Sequence, residues 1–123
     1  MNQPNPTAAY VTAVVTLYMD MPDTPMRISA SDQWLARHFY QDGVPLETVE
    51  TALLLGSLRR MIRPADCPRL APIRSLAYFR PVIEELQENP APENYRQYLR
   101  LKLRMATQKP PAQTQKNTFS DDR

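Results

Sequence analysis

The sequence predicts an all-α protein, a compact bundle of about five helices with a disordered C-terminal tail. The 123 residues include thirteen prolines but only two glycines. β-Sandwiches and barrels need tight turns with positive φ, which glycine favours, whereas proline suits the first turn of a helix. Apolar residues also recur every three or four positions instead of alternating. We therefore expect one helical domain over residues 1–106 and a polar tail over residues 107–123.

The first predicted helix covers about residues 7–21. Its apolar stripe, at helical spacing, consists of Tyr10, Val14, Leu17, Tyr18 and Met21. The β-branched run over residues 11–16 would also suit a strand. Helix is the better interpretation because strict alternation is absent, and Pro22 then ends the element.

The second and third helices are predicted over Ala30–Gln41 and from Pro45 to about Ile62. Ser29 and the residues after it supply capping side chains for the second helix. Its expected apolar face consists of Trp34, Leu35, His38 and Phe39. The third helix is apolar on most sides between residues 52 and 58, which predicts a central position. A glycine inside it, Gly56, indicates the close approach of a neighbouring helix.

The fourth and fifth helices are predicted to begin at Pro72 and Pro92. Pro81 falls inside the fourth, so we expect a kink or break just before it. The fifth runs through Met105, and its expected apolar members are Tyr95, Tyr98, Leu99, Leu101 and Leu103. The polar, aperiodic segment from Thr107 onward predicts disorder.

Residue types needed for catalysis or metal binding are scarce. The single Cys67 excludes an internal disulfide, and the single His38 lies on a helical face beside aromatic residues. The carboxylates Glu84, Glu85 and Glu88 fit a solvated helix face better than a metal site. We expect no enzymatic activity, cofactor or metal. The N-terminus lacks the pattern of a signal peptide or a membrane span, which predicts a cytoplasmic protein that does not associate with membranes.

Positive charge is distributed unevenly. Residues 1–58 contain two arginines against six acids, whereas residues 59–80 contain six arginines against one acid. Residues 91–109 contain five cations against one acid. The candidate phosphate contacts are Arg59, Arg60, Arg63, Arg74, Arg96, Arg100 and Arg104. The last three recur every four residues and so share one helix face, which we expect to lie opposite the apolar stripe. An equally good interpretation is that these arginines only solvate helix ends.

One pattern of residue types resembles a known family. It extends from Tyr10 to Leu86 and includes Gly43, Val49, Ala52 and the unit IRSLAYF at residues 73–79. This pattern resembles the DnaD-like helical domains of bacterial and phage replication proteins. The resemblance implies DNA binding and contact with a replication protein or helicase, often on mobile elements.

The resulting hypothesis is a non-enzymatic DNA-binding accessory protein for replication or maintenance, in which the seven arginines contact phosphates. The alternative is a helical protein–protein adaptor without affinity for nucleic acid. Salt-sensitive retention on DNA would distinguish the two, because phosphate contacts weaken as salt increases.

Overall fold

The computed structural model describes residues 5–64 and 66–107, and within them it contains five α-helices and one 3₁₀ helix but no strand. The α-helices are α1 (Pro6–Met19), α2 (Ala30–Gln41), α3 (Leu46–Met61), α4 (Arg80–Glu88) and α5 (Tyr95–Thr107). The 3₁₀ helix, Leu76–Phe79, directly precedes α4. The predicted all-α fold is thus confirmed. The predicted tail lies outside the described residues, except for Thr107, which ends α5.

Helix α3 lies at the centre of the bundle, as its composition predicts. All its residues from Thr51 to Leu58 are buried. The helix packs against α1, α4, α5 and the 3₁₀ helix. Leu53 is fully buried within a core that includes residues of every helix. A helix buried on nearly all sides has no polar face to expose, which explains why its apolar residues follow no single stripe.

Local capping interactions fix the starts of the first two helices. The Asn5 side chain accepts hydrogen bonds from the backbone N–H groups of Thr7 and Ala8, at 2.9 and 3.3 Å. At α2, Ser29 and Asp32 form a reciprocal capping box. Both arrangements satisfy N–H groups that a helix leaves unpaired in its first turn. The bounds of α2 are the predicted ones, whereas α1 begins one residue earlier and ends two residues sooner.

Aspartate 32 also connects α2 to the 3₁₀ helix. It is 2% exposed, and its second carboxylate oxygen accepts a hydrogen bond of 2.9 Å from the backbone N–H of Leu76. One side chain thereby caps two helices that are 44 residues apart in sequence. A carboxylate buried this deeply needs such partners, because an unpaired charge in the core is costly.

The prediction that a fourth helix begins at Pro72 is wrong. The chain is extended through Ser75, which has φ −156° and ψ 160°, and the α-helix begins only at Arg80. Two distant contacts hold this segment: the N–H of Ile73 donates to the Asp23 carbonyl oxygen at 2.9 Å, and the N–H of Leu76 donates to Asp32. The predicted break before Pro81 is confirmed, since this proline lies in the first turn of α4, where its missing N–H costs nothing.

Glycine 56 permits the close approach that its position in the sequence indicates. A Cβ atom at this position would lie 2.8 and 2.9 Å from Cδ1 and Cε1 of Phe79. These distances are shorter than van der Waals contact, so no other residue fits unless the ring moves. The neighbour is the 3₁₀ helix, whose Phe79 is fully buried and also packs edge-to-face on Tyr18.

Candidate nucleic-acid interface

A small recess at the C-terminal end of α3 brings several cationic side chains together. The recess has a volume of about 210 Å³ and lies between the end of α3 and the irregular segment that follows it. Arg60, Arg63 and Arg69 line it, together with a single carboxylate, Asp23. The sequence predicted two of these arginines as candidate contacts, while Arg69 was not among them. Its place in the recess depends on the path of the proline-rich segment.

Arginine 60 forms the fixed part of the recess. Its guanidinium donates hydrogen bonds to the Ala71 carbonyl oxygen at 2.7 Å, to Asp23 at 3.3 Å and to the Tyr78 hydroxyl at 3.3 Å. The side chain is 7% exposed, and its Cζ atom lies 5.3 Å from the centroid of the Tyr78 ring. Burial opposes the charge, but the bonds to Tyr78 and Asp23 outweigh it and raise the pKa of Arg60 above its ordinary value. Arg60 therefore joins three segments of the fold.

The neighbouring arginines are more accessible. Arg63 is exposed and donates to the carbonyl oxygen of Pro68 at 3.2 Å, and Arg69 is exposed as well. Arg74 follows Ile73, whose backbone bond to Asp23 brings it beside the same loop. Within residues 5–64 and 66–107, none of these three arginines forms an ion pair. Their guanidinium groups thus remain available to an external anion.

Arginine 59 faces another direction and is paired with a carboxylate. Its two terminal nitrogens donate to the two carboxylate oxygens of Glu85 on α4, at 2.9 and 2.7 Å. This bidentate pairing raises the pKa of Arg59 and lowers the pKa of Glu85. Both side chains are about half exposed. The pair connects α3 to α4, so a phosphate would have to compete with Glu85 for this arginine.

The arginines of α5 divide into two groups. Arg100 binds Glu50 of α3 through Nε, at 2.9 Å, and through a terminal nitrogen, while Arg96 Nε lies 3.4 Å from the same carboxylate. The expectation that these arginines lie opposite the apolar stripe is wrong for Arg96 and Arg100, because both reach back to α3. Arg104, one turn further along, forms no ion pair within the described part of the chain.

Several aromatic and aliphatic side chains predicted to face the core point to solvent instead. Tyr98 and Leu101 of α5 are 54% and 52% exposed, and Met105 on the same side is 58% exposed. Trp34 of α2 is 57% exposed and lies against the ring of His38, with a centroid separation of 3.8 Å. The prediction that Trp34, Tyr98 and Leu101 belong to the apolar core face is therefore wrong.

The side chains considered for catalysis or metal binding are not assembled into a site. Cys67 is an exposed free thiol, and Glu85 is occupied by Arg59. Across residues 5–64 and 66–107, no three His, Cys, Asp or Glu side chains are grouped to hold a metal ion. A groove of about 600 Å³ between the start of α3 and the loop over residues 90–93 is lined by Glu47, Glu93 and Arg96 among mainly uncharged residues. None of the described helices is long and apolar enough to cross a membrane.

Compared with protein-family models, curated proteins and solved structures, the chain matches none of them.

Proposed function

We propose that this protein is a non-enzymatic, cytoplasmic DNA-binding accessory protein that acts in the replication or maintenance of DNA, such as that of a mobile element. The observation that carries the proposal is the recess at the end of α3, where Arg60, Arg63 and Arg69 face a single carboxylate. The replication context rests on the resemblance of residues 10–86 to DnaD-like domains.

The charge of the recess supports binding to a phosphate backbone. Arg60 is anchored by protein groups, so the recess keeps its shape, while Arg63, Arg69 and Arg74 are exposed and can each contact one phosphate. Guanidinium groups suit phosphates because their planar N–H donors match the phosphate oxygens. No helix here presents Asn, Gln or Arg side chains toward base edges as a recognition helix would. Base discrimination is accordingly expected to be slight.

The test is a fluorescence-anisotropy titration of single- and double-stranded oligonucleotides at several salt concentrations. If the three exposed arginines neutralise about three phosphates, log affinity should fall with log salt at a slope of about −2.7 on duplex DNA. The double variant Arg63→Gln/Arg69→Gln removes two of these contacts. It should therefore reduce the magnitude of the slope by about 1.8 and weaken binding to all sequences alike.

The chain offers a matched control. Arg96→Gln/Arg100→Gln removes the same number of positive charges, but from side chains already held by Glu50. We expect this control to keep most of the parental slope. Equal losses in both double variants would show that only net charge matters and would refute the recess as the binding site. Absence of parental binding at about 100 μM protein near physiological salt would refute DNA binding altogether.

A protein–protein adaptor without affinity for nucleic acid is the second candidate function. The exposed apolar side chains on α5 favour it, because such side chains in a row frequently mark a protein contact. The same titration separates the two functions, since an adaptor would show no salt-dependent retention of DNA.

A further inference from the structure

Helix α5 has two apolar faces, and only one of them is used within the chain. Leu99 and Leu103 are buried, 1% and 7% exposed, and they pack in the core beside α3. Tyr98, Leu101 and Met105 lie on another side and are each more than half exposed. With about 100° of rotation per residue, these three side chains fall within an arc of roughly 60° around the helix axis. They form one continuous stripe, which we call the outer stripe.

Cations border the outer stripe on both sides. By the same rotation, Lys102 lies about 40° beyond Tyr98, and Arg104 lies about 60° beyond Leu101 on the opposite border. The Nζ atom of Lys102 is 5.9 Å from the centroid of the Tyr98 ring, which agrees with this placement. Helix α5 contains no Asp or Glu. In the described part of the chain, neither Lys102 nor Arg104 has an ion-pair partner.

We infer that the outer stripe docks an amphipathic helix of a partner protein, with an apolar stripe of its own and acidic residues along its borders. Side chains at positions i, i+3 and i+7 are the pattern with which one helix contacts another. The cationic borders would meet carboxylates on such a partner, which adds specificity and accelerates encounter. The inference does not depend on DNA binding, because the recess at the end of α3 uses other residues.

Charge also argues against other occupants. Pairing with α5 of a second copy would bring Lys102 and Arg104 close to their own counterparts, and this repulsion would oppose association. A nucleic acid could stack a base on Tyr98 and contact the cations, but Leu101 and Met105 offer nothing to a phosphate backbone. Both occupants remain distinguishable by experiment.

The experiment presents the full chain to a display library of helical peptides. The peptides carry leucine at positions i, i+3 and i+7, and their bordering positions vary among Asp, Glu, Gln, Lys and Arg. We expect enriched peptides to carry Asp and Glu at the borders. The variant Lys102→Glu/Arg104→Glu should select Lys and Arg there instead, because reversed charges on the helix attract the opposite sign.

A pair of variants tests the location. Leu101→Gln/Met105→Gln should reduce the affinity of enriched peptides at least tenfold. Met26→Gln/Ile62→Gln, which changes apolar residues that are 91% and 66% exposed elsewhere, should leave it unchanged. Circular dichroism checks that all variants retain parental helix content and melting temperature.

Three results would overturn the inference. The first is a library that yields no acidic helix, or one whose binding is insensitive to Leu101→Gln/Met105→Gln. The second is a parental dimer in analytical ultracentrifugation that this double variant converts to a monomer, which would assign the outer stripe to a second copy. The third is a loss of DNA affinity in the same variant, which would assign it to nucleic acid.

Discussion

Two buried polar residues, Tyr18 and Asp32, lie close together where α1, α2 and the 3₁₀ helix meet. The Asp32 carboxylate accepts backbone hydrogen bonds from Ser29 and Leu76. The Tyr18 hydroxyl is buried and has no hydrogen-bond partner. Burial raises the pKa of Tyr18 to about 12, and the negative charge of Asp32 adds to this effect. Burial alone raises the pKa of Tyr10 to about 12. Both phenols are therefore held neutral by the fold.

These raised pKa values predict a loss of stability in alkali. In the unfolded chain the phenols ionise near pH 10, whereas in the folded protein they keep their protons until about pH 12. Their contribution is thus complete below pH 10 and disappears as the pH rises toward 12. The midpoint of urea unfolding should fall over this interval. In Tyr18→Phe the fall should be smaller, because one of the two groups no longer titrates.

Near neutral pH, Tyr18→Phe should be as stable as the parent or more so, since it removes a buried hydroxyl without a partner. Tyr98→Phe is the control, because that ring is 54% exposed and should leave the alkaline fall unchanged. An alkaline fall in Tyr18→Phe equal to that of the parent would contradict the assignment.

At the scale of elements, the contact between α3 and the 3₁₀ helix is the tightest constraint that we find. Gly56→Ala should favour the helical conformation by about 1 kcal/mol, as alanine does relative to glycine. It should also force the new Cβ into the Phe79 ring, at 2.8 Å, and overpacking costs about 1–3 kcal/mol. Because Phe79 is fully buried and cannot move freely, we expect a net loss in the free energy of unfolding of up to about 2 kcal/mol.

A double-mutant cycle identifies the cause. In a Phe79→Leu background the ring is absent, so Gly56→Ala should cost less or even stabilise the protein. Denaturant unfolding of the four proteins gives the coupling. If Gly56→Ala costs the same with and without the Phe79 ring, another contact must require the glycine.

At the scale of the whole molecule, one core joins all the described helices. Its buried members come from α1 through α5 and from the 3₁₀ helix, which predicts a single cooperative unfolding transition. Leu53→Ala, at the fully buried centre of α3, should cost about 2–5 kcal/mol of the roughly 5–15 kcal/mol available to a domain of this size. Far-UV circular dichroism and the near-UV signal of the tyrosines should shift together. Two separate transitions would show that the core is divided.

Local sequence was sufficient to predict much of the helical framework. The bounds of α2 follow from Ser29 and Asp32, which lie next to the helix they cap. The central position of α3 follows from its composition, and its glycine correctly indicated a close neighbour. The extended segment before the 3₁₀ helix could not be predicted, because Asp23 and Asp32, which hold it, lie 44 or more residues away.

The candidate site shows the same division between sequence and tertiary structure. The sequence determined how many arginines the chain carries and that they gather in its second half. Only the tertiary structure decided which are occupied, because Glu50 and Glu85 lie 50 and 26 residues from the arginines they bind. It also decided which side of α5 faces α3, so Tyr98 and Leu101 are exposed although their residue types suggest burial. Periodicity reports that a helix has an apolar side, whereas packing against distant elements selects which side is covered.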